Sequence, residues 1–200
     1  MRTKPMLALS RSYRRSLMVA ATALLAACAG ESTAPVVQHS APVLASKALS
    51  GVVDGVYSYT VTPGEAQTLR FGDSYLVLPA NAICSLATSG YGPQTWNAPC
   101  APESAPVVIT ATIRNAATNN PSIDFQPAMR FNPATNVQLF LQVTNATTLS
   151  NMTQMLYCGP FNVACVDESA SDASLSTEVD KTHNSVSRRI KHFSGYVVAE

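Results

Sequence analysis

The chain has 200 residues, 13 Lys+Arg against 12 Asp+Glu for a net charge of +1, 46% hydrophobic residues and only 12% charged ones. So few charges, with Thr, Ser, Asn, Ala and Val abundant, argue against a helical bundle and for strands. Neither sign dominates, so no basic surface for a nucleic-acid backbone is expected.

Residues 1–27 carry Arg2, Lys4, Arg11, Arg14 and Arg15 and no acidic residue, and Leu17 to Ala27 is apolar apart from Thr22. A basic start, a short apolar run and small residues at its end predict a secretory signal peptide. The run is well short of the ~20 apolar residues that span a bilayer. Leu25-Ala26-Ala27-Cys28 resembles the bacterial lipobox. That resemblance implies that Cys28 is acylated and becomes the first residue of the mature chain. Several acyl chains, each buried CH₂ contributing ~0.8 kcal/mol, would anchor it durably. Ala29 follows where an aspartate would signal inner-membrane retention, so the resemblance implies the outer membrane of a Gram-negative cell. Arg14-Arg15-Ser16-Leu17-Met18 also resembles a twin-arginine export signal, and the choice between that route and the general one stays open. Cleavage before Cys28 leaves 8 Lys+Arg against 12 Asp+Glu, a net charge of −4.

Ala29 to Ser50 is rich in Ala, Ser, Pro and Val without pattern, and reads as a disordered tether in which His39 is solvated. The expected organisation is a signal peptide over 1–27, a lipidated flexible tether over 28–50 and one domain over 51–200. About 170 mature residues suffice for one domain with its own core.

From Val52 the period becomes two. Tyr57, Tyr59 and Val61 alternate with Ser58, Thr60 and Thr62 before Pro63-Gly64. Leu69 and Phe71 flank Arg70, and Gly72-Asp73 ends that run. Tyr75 to Leu78 is apolar throughout and predicts a strand covered on both faces. Over 107–114, Val107, Ile109, Ala111 and Ile113 share one face. Ile123, Phe125, Met129 and Phe131 surround Pro127 and Pro133, which suits an edge or bulged segment. Val137 to Val143 alternates again. Met155–Cys158 and Val163–Val166 read as hairpin arms, Asp167–Asp180 as an acidic surface loop or short helix, and Ile190–Ala199 as the closing strand. The whole predicts an all-β fold, an antiparallel β-sandwich.

With Cys28 set aside, Cys84, Cys100, Cys158 and Cys165 remain, an even set that reads as two disulfides in an exported chain. Of three possible pairings the sequential one is favoured, since Gly159-Pro160 can turn Cys158 back towards Cys165. The alternative, a four-cysteine zinc site, lacks the close cysteine spacing such sites use.

Three segments together resemble the ZU-five domain, a β-sandwich of zonula-occludens proteins, ankyrins and netrin receptors that also occurs in bacterial exported proteins. They are Leu76-Val77-Leu78-Pro79-Ala80-Asn81-Ala82-Ile83, Phe131-Asn132-Pro133 leading into the strand over 137–143, and His192-Phe193-Ser194-Gly195-Tyr196. The resemblance spans roughly Gly51 to Glu200 and departs at the Cys84–Cys100 insert. It implies a non-enzymatic interaction module. Some relatives cut themselves inside the His-Phe-Ser triplet. Here that would make Ser194 the nucleophile on the Phe193 carbonyl and His192 the base, and it needs a strained backbone and an oxyanion donor. Without that reaction, His192-Phe193-Ser194 is a strand with Phe193 packed inward.

No nucleophile elbow, zinc-protease helix or phosphate loop occurs. Asp167, Glu168 and Asp172 lack calcium-loop spacing and read as a solvated acidic loop, so neither metal nor cofactor is expected. The binding candidates are Tyr91 and Trp96, aromatics on the insert. The expected function is a membrane-anchored envelope lipoprotein whose β-sandwich contacts a protein or envelope polymer. The alternatives are a self-processing module and a purely structural envelope component.

Overall fold

A computed structural model describes residues 53–159 and 164–200. The expected signal peptide, Cys28, the tether and Val163 lie outside the described residues. Within them are eleven strands and no α-helix, hence no helix long and apolar enough to cross a membrane. In chain order the strands are β1 (Gly55–Val61), β2 (Gln67–Phe71), β3 (Ser74–Leu78), β4 (Val107–Arg114), β5 (Ser122–Gln126), β6 (Gln138–Gln142), β7 (Gln154–Cys158), β8 (Cys165–Val166), β9 (Glu178–Asp180), β10 (Ser185–Arg189) and β11 (Gly195–Ala199). One sheet runs β1-β4-β5-β11-β7-β8 and the other β2-β3-β6-β10-β9, with every pairing antiparallel. This is the expected β-sandwich.

Alternation places the core. Ile109, Ala111 and Ile113 of β4 face Leu69, Phe71, Leu76 and Leu139 from the other sheet, all buried. An aromatic chain bridges the layers, Phe71 to Phe125 at 5.7 Å, Phe125 to Phe193 at 5.0 Å and Phe193 to Phe131 at 4.7 Å between ring centroids. Burying one such phenylalanine contributes roughly 2–3 kcal/mol. Gly72, at φ +67°, supplies the positive backbone angle that the tight β2–β3 hairpin turn demands.

Three expectations need correction. β3 is covered on one face only. Leu76 and Leu78 point inward, while Tyr75 points out and stacks on Phe140 of β6 at 4.4 Å, with the Arg70 guanidinium over its ring at 5.4 Å. A continuous apolar run is here a half-buried strand, because one aromatic packs against another on the outer surface. The second concerns β5, which is central, between β4 and β11, and no edge. Pro127 follows Gln126, the last residue of β5, so the ladder loses no donor.

The third concerns the chain end. Ile190–Ala199 is not one strand. β10 belongs to the five-stranded sheet and β11 to the other, and residues 190–194 cross between them. The crossing pairs with a second irregular stretch: Phe131 N donates to Lys191 O at 2.8 Å, Phe193 N donates to Met129 O at 2.7 Å, and Arg130 bridges His192. Such corners, where a strand changes sheets through bends, close a sandwich at one end. This corner carries the site.

Candidate functional site

The Cys84–Cys100 insert is fastened onto the corner. The cysteines form a disulfide with Cα atoms 5.6 Å apart, and Cys158–Cys165 form the second at 4.1 Å, the sequential pairing expected. Arg130, buried in the corner, donates from Nη1 to Ala98 O at 2.6 Å and from Nη2 to Pro99 O at 3.3 Å. Lys191 Nζ reaches Asn97 Oδ1 at 2.5 Å. So anchored, Trp96 stacks on His192 with centroids 3.9 Å apart and stands edge-on to Tyr157 at 5.7 Å.

Opposite lie two short 3-10 turns, Glu168–Ala170 and Ala173–Leu175. Asp167 and Asp172 cap them, their carboxylates accepting from Ser169 N and Ser174 N. Capping turns Glu168 inward, where it is buried. Its Oε2 accepts from Arg188 Nη2 at 2.8 Å, and its Oε1 lies 3.2 Å from His192 Nε2. Arg188 Nη1 also donates to Met155 O at 2.5 Å, and its guanidinium lies over the Tyr196 ring at 5.8 Å. A guanidinium suits this place, because its planar fork meets carboxylate, carbonyl and ring together. The solvated acidic loop expected here is therefore corrected: Glu168 balances a buried arginine and Asp172 pairs with Lys191.

Burial raises the Tyr196 hydroxyl well above the usual phenol range, and the Glu168 charge adds to it. Tyr196 thus stays a neutral donor, to His192 O at 2.8 Å, with His192 Nδ1 3.4 Å away. Lys191, first, and the Ser174 side chain, second, hold Asp172 down at about 2.

Between insert and turns opens a cleft of about 450 Å³. Trp96, Tyr157, Pro93 and Leu175 give it apolar walls, and Asn97, Ser171, Asp172 and Lys191 are among its polar groups. The two aromatic candidates part company here. Trp96 faces the cleft. Tyr91, 42% exposed, does not line it and instead donates its hydroxyl to Phe193 O at 2.8 Å. Burial pushes the Tyr91 hydroxyl up to about 12, against a smaller opposing pull from the Ser194 hydroxyl.

His192, Phe193 and Ser194 are all buried. Phe193 packs inward as expected. Ser194 Oγ donates to Cys158 O at 3.3 Å, while both His192 nitrogens face other partners, Glu168 and Tyr196. None of the three has a positive φ. The insert thus supplies, through Tyr91, a hydrogen-bond donor to the Phe193 carbonyl, while the corner does not join His192 to Ser194. Among the described residues, no three His, Cys, Asp or Glu side chains are grouped to hold a metal ion.

Glu168, Arg188, Lys191, Asn97 and Tyr157 were absent from the sequence-based site. Arg188 sits two residues after Val186 on β10, but nothing in the Ser185–Arg189 sequence marks it as an inward position. No protein-family model matches the chain, and no curated protein matches it.

Proposed function

We propose that this chain is an exported, lipid-anchored envelope protein whose β-sandwich is an interaction module, and that the Trp96 cleft is its binding surface. One observation carries this reading: Trp96 faces a cleft of about 450 Å³ on a loop held by a disulfide. That size suits a small-molecule or side-chain guest, and a pre-fastened wall lowers the ordering cost of binding. The anchor rests on Leu25-Ala26-Ala27-Cys28, and the module on the three ZU-five-like segments.

Two arms test it. Radiolabelled palmitate should be incorporated by the full chain and not by Cys28→Ala. Envelope extract passed over the parent and over Trp96→Ala should leave different material bound. Equal retention by both counts against the cleft.

Self-processing between Phe193 and Ser194 is the second reading. It is favoured by the Tyr91 hydroxyl on the Phe193 carbonyl, since a donor there stabilises the oxyanion of an attacked amide. In that reaction Ser194 Oγ bonds to the Phe193 carbonyl carbon, the Phe193–Ser194 C–N bond breaks and the hydroxyl proton passes to the freed Ser194 amine, giving an ester that water then hydrolyses to a carboxylic acid and the regenerated hydroxyl. Intact mass after long incubation decides: two fragments support it, and a single mature species rejects it.

A further inference from the structure

We propose that the cleft takes a neutral saccharide, about one or two pyranose rings of a larger glycan. This rests on the reading of the cleft as a binding surface and gives its ligand a chemical class.

Two of the three carboxylates in the cleft already have cationic partners. Lys191 Nζ donates to Asp172 Oδ2, and Glu168 holds Arg188. Asp167 is engaged in its own turn, accepting from Ser169 N at 2.9 Å and from Ser169 Oγ at 2.8 Å. A cationic guest would have to compete with Lys191 for Asp172, and an anionic one would face three carboxylates. Of the three, only Asp167 lacks a cationic partner among the described residues, so a small cation is the competitor that the spermidine control must exclude.

The unspent hydrogen-bonding capacity is of both kinds. On the donor side stand the amide NH₂ of Asn97, whose Oδ1 alone is engaged among the described residues, and the third N–H of Lys191. On the acceptor side stand the spare lone pairs of Asp172 and the Ser171 hydroxyl, whose proton goes to Glu168 O at 3.0 Å. A sugar hydroxyl gives one hydrogen bond and accepts others, so mixed donors and acceptors suit it better than they suit an ion. Trp96 and Tyr157 bring aromatic surface to the cleft lining, which suits the apolar C–H face of a pyranose ring, whose burial adds the hydrophobic part.

Trp96 is the only tryptophan in the chain, so its emission reports this cleft alone. The full chain, in a detergent without a sugar headgroup, is titrated with cellobiose, maltose, lactose and N,N′-diacetylchitobiose, and with spermidine and inorganic phosphate as charged controls. A saturable emission change with at least one disaccharide is expected. Asn97→Ala should weaken it by about tenfold, the scale of one good contact, while its far-ultraviolet circular dichroism stays that of the parent. No saturable response to any of the four sugars overturns the proposal, as does a response unchanged in Asn97→Ala or one given only by spermidine or phosphate. If the sugars fail while Trp96-dependent retention of envelope material persists, the saccharide falls and the cleft stands. If Trp96→Ala retains everything, the cleft reading falls first.

Discussion

Tyr91 and Phe193 are 102 residues apart and are joined by one hydrogen bond, from the tyrosine hydroxyl to the phenylalanine carbonyl at 2.8 Å. It ties the insert to the sheet-switching corner independently of the cysteines. Tyr91→Phe removes the donor and keeps the ring, which packs edge-on to His192 at 5.9 Å. Urea unfolding should show a loss of about 1 kcal/mol. A variant as stable as the parent means that water replaces the tyrosine hydroxyl fully.

The buried Arg188–Glu168 pair should be costly to break. Both side chains are buried, at 0% and 6% exposed. Glu168→Ala leaves a buried guanidinium without its carboxylate and should cost about 3–5 kcal/mol in denaturant unfolding. The double variant Glu168→Leu with Arg188→Leu should recover a large part of that loss, because removing both charges removes the desolvation penalty as well. A double variant less stable than either single change would contradict this.

The two disulfides should differ in worth. Cys84–Cys100 closes a separation of 16 residues and Cys158–Cys165 one of 7. Loop-closure entropy then assigns about 3 kcal/mol to the first and about 2 kcal/mol to the second. Paired Cys→Ser variants compared by thermal unfolding check the order. Losing the first should also shift Trp96 emission to longer wavelength, since the insert holding the indole is released.

Acid should loosen the same corner. The Asp172 carboxyl is held at about 2 against a usual 3.8. A carboxylate with a lowered folded pKa stabilises above its unfolded value, and that contribution is lost as pH falls through the folded one. The parent should therefore lose stability between about pH 4 and pH 2 in part through Asp172. Asp172→Asn should be less stable than the parent at neutral pH and show a shallower fall in melting temperature over that window. Parallel curves would remove Asp172 from the acid response.

The strands were legible wherever burial alternates. Val107–Arg114 reads directly as β4, with Ile109, Ala111 and Ile113 buried. Leu139 and Leu141 likewise mark β6. β10 was not legible, because Ser185-Val186-Ser187-Arg188-Arg189 holds one apolar residue and its largest inward side chain is charged. Trp96 was found as an aromatic on a constrained loop. The polar half of the site was hidden, because Asp167, Glu168 and Asp172 look solvated until Arg188 and Lys191 are seen to meet them.

By itself, the sequence determined the fold class and most strand positions and favoured one of three disulfide pairings, since period-two burial and a local Gly-Pro turn are written over a few neighbouring residues. The tertiary structure alone decided that the last segment changes sheets, that Glu168 is buried against Arg188 and His192, and that Lys191 reaches Asn97 across a separation of 94 residues. A charged side chain can be buried only where its partner arrives, and here that partner comes from a distant part of the chain.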